Sequence, residues 1–209
     1  MAKYSGGTRV GGAGARGGMS QRASELADKY LGNVSDPTLK KSLAEGMAAF
    51  EKEFGIPVFG NNRPGQGELN VLVSDLGKTT YGSINGAGFL TINSRFESGK
   101  MEMEHAKHTI IHELAHGIDK TIAWNAQTSV WYEGKWVLKD ANRGFNRKLT
   151  AAYKTFKKKY GSGQTKQIGP YALKNKNEFF AEAIAAHMTG KQNSYTTFAY
   201  NLAKSMTGK

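Results

Sequence analysis

Two histidines and a glutamate stand close together in residues 108–119, which read HTIIHELAHGID. His112 and His116 are four residues apart, and Glu113 directly follows the first of them. Residues spaced by four lie on one face of an α-helix about 6 Å apart, so both imidazoles can reach one metal ion. This HExxH spacing is typical of zinc peptidases, in which two imidazoles bind the metal and the glutamate removes a proton from water. The pattern therefore predicts a hydrolytic zinc site.

The surrounding residues favour a metal site on a buried helix. The chain has no cysteine, so nitrogen and oxygen atoms must supply any ligands. Leu114 and Ala115 fill the motif with apolar side chains, as a buried helix requires. The alternative is a histidine pair that is hydrogen-bonded in a core beside a solvated glutamate. His108 cannot share one ion with His116, because eight residues of helix span about 12 Å; we expect it at the helix surface or beside a ligand, and His105 at the surface.

A catalytic zinc site needs a third protein ligand. The arrangement HExxHxxGxxH is excluded, because Asp119 and Ile122 occupy its glycine and final histidine positions. Glu178 and Glu182 lie one turn apart in NEFFAEAIAAH, a segment with an apolar body. Carboxylates on the inner face of an apolar helix need a positive partner. One of the two could therefore bind zinc while the other orients a zinc-binding histidine, unless both are exposed beside the apolar face.

The elements that position these groups can be located from periodicity and capping residues. In the first half of the chain, the pattern predicts a helix over 20–31, a second helix from Asp36-Pro37 to Phe54, and strands at 69–73 and 89–93. The motif helix follows over about 100–122, and then a hairpin over 129–138 that turns at Glu133-Gly134. The last elements are a basic helix capped by Asp140 and two helices capped by Asn177 and Ser194.

This order of elements predicts an α+β fold in two lobes, with a small sheet and a separate motif helix. Residues 20–209 are expected to form a single domain. Within it, residues 20–122 would make an N-terminal lobe that contains the active-site helix, and residues 123–209 a mostly helical C-terminal lobe. Residues 1–19 are rich in glycine and basic residues, so a flexible tail is predicted there.

The charge of the chain is strongly positive and unevenly distributed. The formal net charge is +12, and residues 141–176 contain ten basic residues and no acidic one. Such a stretch suggests an anionic partner, either nucleic acid or an acidic protein, although a solvated helix face would look the same. We expect no transmembrane segment, because no apolar run is long enough. The N-terminus does not resemble a signal peptide. The default expectation is a cytoplasmic protein, with virion association or signal-independent export as alternatives.

With HELAH and EFFAEA both in view, the chain resembles the catalytic domain of anthrax lethal factor and the related Pro-Pro endopeptidases over roughly residues 60–190. That family has the gluzincin arrangement, in which HExxH is followed by a glutamate ligand in a helix of the EFFAEA kind and by a tyrosine seven residues before that glutamate. The resemblance implies a zincin-like fold with a twisted sheet. It further implies that Zn²⁺ is bound by His112, His116 and Glu178, that Glu113 is the general base, that Tyr171 donates to the oxyanion, that Glu182 supports a ligand, and that Phe89, Leu90, Thr91, Ile92 and Asn93 form the edge strand that receives substrate.

The function predicted from these patterns is that of a zinc endopeptidase acting on a protein or peptide. A protein of another class is the first alternative: a basic nucleic-acid-binding or virion-associated protein on a zincin scaffold. A delivered effector or toxin protease is the second.

Overall fold

The computed structural model describes residues 18–57, 69–125, 127–132, 135–140, 143–161 and 168–207. These residues form six α-helices, one 3-10 helix and two sheets. The helices are α1 (Gln21–Tyr30), α2 (Pro37–Phe54), α3 (Glu104–Asn125), α4 (Arg143–Tyr160), the 3-10 helix (Pro170–Leu173), α5 (Lys176–Met188) and α6 (Ser194–Thr207). The strands are β1 (Asn70–Ser74), β2 (Gly82–Ile84), β3 (Phe89–Asn93), β4 (Gln127–Tyr132) and β5 (Lys135–Asp140).

The predicted α+β class is confirmed by this mixture of helices and sheets. The division into two lobes, at residues 20–122 and 123–209, stays a prediction. Residues 1–17 of the expected tail lie outside the described residues. Among the described residues, no helix has both the length and the apolar character needed to cross a membrane.

Local sequence sets the start of the first two helices, and the start of the second, after Asp36, is as predicted. The side chains of Ser20 and Asp36 each accept a hydrogen bond from a backbone N–H in the first turn that follows. Pro37 stands at the first position of α2, where its missing N–H does not matter. Gly55 then ends α2 with a φ of 77°, a conformation that glycine adopts without strain.

Three of the predicted helix caps are wrong. Asp140 is the last residue of β5, and α4 begins three residues later. Asn175, not Asn177, caps α5, because its side chain stands before the first helical turn and accepts from two backbone N–H groups there. Asn193 accepts in the same way at the start of α6, of which Ser194 is the first residue. In the last two cases an asparagine just outside the helix replaces the polar residue that the pattern suggested.

The three-stranded sheet contradicts one prediction about substrate binding. Its order is β1-β3-β2, so β3 is the central strand. It pairs in parallel with β1 and antiparallel with β2 along its whole length, so Phe89, Leu90, Thr91, Ile92 and Asn93 do not form an edge strand. The predicted bounds of β3 are correct, but β2, which is three residues long and contains Gly82, was not predicted. Strands this short carry no alternating pattern to detect.

The sheet is held against the motif helix by a buried amide. Asn93 is fully buried, and its side-chain amide donates to the carbonyl oxygens of Gly77 and Thr80. These bonds fix the loop that leads into β2, and β2 in turn packs on α3. The other faces of α3 pack against α2 and α5, where apolar side chains form the core: Leu43, Met47, Phe50, Ile110, Ile111, Leu114, Phe179 and Phe180.

The predicted hairpin is confirmed as the antiparallel pair of β4 and β5, with Tyr132 opposite Lys135. Its predicted turn, at residues 133 and 134, lies outside the described residues.

Candidate metal centre

Three nitrogen and oxygen atoms from α3 and α5 converge at one point. Nε2 of His112 lies 3.1 Å from Nε2 of His116. Oε2 of Glu178 lies 3.2 Å from the first of these atoms and 3.3 Å from the second. The histidines share one face of α3 because they are four residues apart, and Glu178 approaches from the first turn of α5. The three atoms therefore form a nearly equilateral triangle.

The size of this triangle fits zinc. Zinc bonds to imidazole nitrogen and carboxylate oxygen are about 2.0–2.1 Å long, and tetrahedral ligands at that distance stand about 3.3 Å apart. The observed separations of 3.1, 3.2 and 3.3 Å match that spacing. Two imidazoles and one carboxylate also leave a fourth tetrahedral position for water or substrate. His112, His116 and Glu178 could therefore hold a catalytic zinc ion.

Glu182 contacts the opposite side of one of these histidines. Its Oε2 atom lies 2.9 Å from Nδ1 of His112. An ionised carboxylate only accepts hydrogen bonds, so Nδ1 must carry the proton that it donates. In the neutral imidazole this leaves the lone pair on Nε2, which points into the triangle. Glu182 thus selects the tautomer that a metal requires.

The electrostatics of the centre favour positive charge. Burial lowers the pKa of His112, but the carboxylates of Glu178 and Glu182 outweigh burial and raise that pKa to about 10. Hydrogen bonds from His112 and His116 hold the pKa of Glu178 far below its ordinary value. Burial opposes ionisation of Glu182, yet His108 and His112 lower its pKa to about 2. A divalent cation would gain from the same two carboxylates.

His108 belongs to this hydrogen-bonded group rather than to bulk solvent. Its Nε2 atom lies 3.2 Å from Oε1 of Glu182, the oxygen that does not face His112. Its other ring nitrogen lies 3.5 Å from the hydroxyl of Thr189. Of the two positions expected for His108, the structure shows the one beside the site. His105 is exposed and pairs with Glu102, as predicted for a surface residue.

The glutamate of the motif is buried against β2. Glu113 is 5% exposed and lines the same cleft as the histidines. A Cβ atom at Gly82 would lie 2.9 Å from Cγ2 of Thr109 and 3.1 Å from Cγ of Glu113. Glycine at this position therefore lets the strand approach the motif helix. A larger residue would push on the side chain that is expected to act as the base.

A second glycine allows the opposite wall to approach. Gly169 has a φ of 148°, and a Cβ atom there would collide with the carboxylate of Glu182. Gly169 directly precedes the 3-10 helix, which carries Tyr171. The Tyr171 ring is 39% exposed and faces the cleft. Tyr171 thus lines the cleft from the 3-10 helix, which packs against α5, the helix that carries Glu178.

The cleft is bounded by β2 and α3 on one side and by the 3-10 helix and α5 on the other. Its volume is about 1130 Å³, which is enough for several residues of an extended peptide. All six predicted centre residues line it: His112, Glu113, His116, Tyr171, Glu178 and Glu182. Residues 89–93 do not, and residues 80–84 line the cleft instead.

Sequence reasoning missed Gly82, Gly169 and Lys174, all of which line the cleft. The sequence signal for Gly169 was the Gly-Pro pair before Tyr171, which marks a turn. No local pattern marks Gly82, because its importance comes from the close approach of β2 to α3.

The model of one protein family, described as glucose-regulated metallo-peptidase M90, matches residues 68–193. The match covers more than half of the chain and includes α3, the 3-10 helix and α5. Every residue of the candidate centre lies within it. No curated protein and no solved structure matches the chain.

Proposed function

Because the chain belongs to the glucose-regulated metallo-peptidase family M90, we propose that it is a zinc-dependent endopeptidase whose metal ligands are His112, His116 and Glu178. The observation that carries the proposal is the triangle of donor atoms, whose edges have the length expected around tetrahedral zinc. Glu113, buried beside that triangle, favours an enzyme over a catalytically silent binding protein.

Zinc, when bound, would polarise the scissile carbonyl group and make water more acidic. The carboxylate of Glu113 would take the proton from the attacking water and then deliver it to the leaving amine. Glu182 would keep the proton of His112 on Nδ1 and so hold that ring in its ligating orientation. The Tyr171 hydroxyl would donate to the carbonyl oxygen as negative charge develops there.

The substrate would bind as an extended strand beside β2. In the described part of the chain, β2 pairs with β3 on one side, and its other side faces the cleft through residues 80–84. An extended peptide can add to a sheet as a further strand, and β2 approaches Glu113 closely at Gly82. This assigns to β2 the role that the sequence suggested for β3.

The finer likeness to lethal factor and the Pro-Pro endopeptidases is part of this proposal. It is supported by the shared cleft wall, where Tyr171 and Glu178 stand seven residues apart on consecutive helices. It concerns the gluzincin type of site and leaves the choice of substrate open.

The test is cleavage of a peptide library by the zinc-loaded protein beside Glu113→Gln. The variant keeps the size of the side chain but removes the base, so zinc should stay at one ion per chain while hydrolysis falls by several orders of magnitude. His112→Ala should lose stoichiometric zinc and activity together. Undiminished cleavage by Glu113→Gln, or no cleavage by the zinc-loaded wild type, would contradict the proposal.

We also propose that the outer face of α4 contacts an anionic macromolecule. Six exposed cations lie on this helix: Arg147, Lys148, Lys154, Lys157, Lys158 and Lys159. Within the described part of the chain, none of them forms an ion pair with a carboxylate. The apolar face of the helix packs inward through Phe145, Leu149 and Phe156, so the cations are presented together on one side.

A further inference from the structure

Lys174 stands between two groups of the proposed site. It follows the 3-10 helix directly and precedes Glu178 by one turn. Its Nζ atom lies 3.7 Å from Oε1 of Glu178 and 5.2 Å from the centre of the Tyr171 ring. The side chain is 62% exposed and lines the cleft. A positive charge is therefore held within reach of any peptide that occupies the cleft.

The two oxygens of Glu178 face different partners. Oε2 faces the ring nitrogens of His112 and His116, whereas Oε1 faces the ammonium of Lys174. The ammonium group is thus only one carboxylate away from the point where the donor atoms converge. A substrate bond presented at that point would lie next to Lys174.

The charge of Lys174 is only partly compensated by Glu178. At 3.7 Å and high exposure, an ion pair of this kind contributes little to folding. A cation on Oε2 would also draw the charge of Glu178 away from Lys174. Lys176, which lines the cleft nearby, donates to the neutral amide oxygen of Asn146 and so adds a second positive charge. Asp119 also lines the cleft, and its negative charge offsets part of the positive charge of the two lysines.

We propose that Lys174 is a specificity-determining residue that binds a carboxylate of the peptide substrate close to the scissile bond. The inference rests on the proposed peptidase function and adds to it a preference for acidic substrates. The carboxylate could belong to an aspartate or glutamate side chain or to the C-terminus of the peptide, since both present the same group to the ammonium.

The experiment compares matched peptides on the zinc-loaded protein. In the first set, the two peptides of each pair carry Asp or Asn at one position near the cleaved bond. In the second set, the two peptides of each pair have a free or an amidated C-terminus. Binding is measured by fluorescence anisotropy on the Glu113→Gln background, and kcat/KM on the otherwise wild-type protein. The variants are Lys174→Met, Lys174→Arg and Lys100→Met, the last removing an exposed charge outside the cleft lining.

We expect one carboxylate peptide to be preferred about fivefold over its neutral partner, as one exposed ion pair allows. Lys174→Met should abolish that preference, measured within each variant as the ratio between the carboxylate peptide and its neutral partner, while zinc remains at one ion per chain. Lys174→Arg and Lys100→Met should keep it. The set that shows the preference identifies the source of the carboxylate.

Cleavage without any preference for a carboxylate, or a preference that survives in Lys174→Met, would overturn the inference alone. Binding with a Lys174-dependent preference but without cleavage would support the inference and contradict the proposed peptidase activity. Neither binding nor cleavage of any peptide would overturn both.

Discussion

The carboxylate of Glu182 lies 2.9 Å from Nδ1 of His112, although the two residues are 70 positions apart in the chain. This contact decides which nitrogen of the imidazole carries the proton, and it turns Nε2 toward His116 and Glu178. The same carboxylate reaches His108 through its other oxygen. Glu182 thus links two histidines of α3 and fixes the orientation of the one that faces the proposed metal.

Glu178 and Glu182 should respond differently to removal. Glu178→Ala takes away a proposed ligand and should leave the protein without stoichiometric zinc. Glu182→Ala removes only the partner of Nδ1, so zinc affinity or activity should fall about 10- to 100-fold. Zinc per chain and zinc affinity can be measured by competition with a chelator, with the exposed Glu102→Ala as control. Full zinc retention by Glu178→Ala together with loss in Glu182→Ala would reverse the two roles.

Tyr171→Phe should lower kcat while zinc and substrate still bind. The hydroxyl is expected to help only when negative charge develops on the carbonyl oxygen, and loss of such a donor costs about 10²–10³ in kcat. Because the ring is 39% exposed, its replacement by phenylalanine should not disturb the core. Steady-state kinetics with one cleaved peptide provides the measurement. An unchanged kcat, or a change confined to KM, would rule out this role.

Gly82→Ala should disturb the site from outside the metal ligands. The added methyl group would stand 2.9 Å from Cγ2 of Thr109, so β2 or α3 must shift and Glu113 with it. Such overpacking costs about 1–3 kcal/mol in stability, and kcat/KM should fall while zinc stays bound. Gly86→Ala is the matched control, because a Cβ atom there meets nothing within 4 Å. Equal melting temperatures and activities for the two variants would contradict the close approach.

Stability should depend on pH through Glu53, which joins α2 to α6. A hydrogen bond from the Tyr200 hydroxyl is the main cause that lowers the pKa of Glu53 below 4.5, with Lys204 adding to it and burial opposing it. A carboxyl group whose pKa is lowered by folding stabilises the fold at any pH above its pKa in the unfolded chain. That contribution is lost as the pH falls through its pKa in the folded protein.

The free energy of unfolding of the wild type should therefore exceed that of Glu53→Gln by about 1 kcal/mol at neutral pH. The difference between the two free energies should shrink below pH 4.5. Urea unfolding of both proteins across this range measures it, because all other titrating groups are shared. If the difference in unfolding free energy stayed constant with pH, the ionised form of Glu53 would make no contribution to stability.

The outer face of α4 should bind polyanions in a salt-dependent way. Affinity for a DNA duplex or for poly-glutamate should fall steeply between about 50 and 200 mM salt, because bound cations are released. Replacing Lys154, Lys157 and Lys158 by glutamine should weaken binding and reduce the salt slope. Replacing Lys78 and Lys100, exposed on other segments, serves as control. If no polyanion bound at low salt, the basic face of α4 would be a solvated surface without an anionic partner.

Local sequence determined the features that depend on neighbours along the chain. The four-residue spacing of His112 and His116 places both on one helical face wherever that helix packs. Ser20 and Asp36 cap helices because their side chains reach backbone N–H groups three residues ahead. The start of β3 follows from the glycines before it, which mark a turn.

Tertiary structure alone decided which strand is the edge and which atom meets which. β3 is central because β2, a segment without a strand pattern, pairs with it after the chain turns back through residues 85–88. The spacing of Glu178 and Glu182 placed both on one face of a helix, and only the family resemblance assigned Glu178 to the metal and Glu182 to the support of a ligand. The packing of α5 against α3 sets Glu178 beside Nε2 and Glu182 beside Nδ1, since these contacts join residues more than 60 positions apart and local propensity carries no information about them.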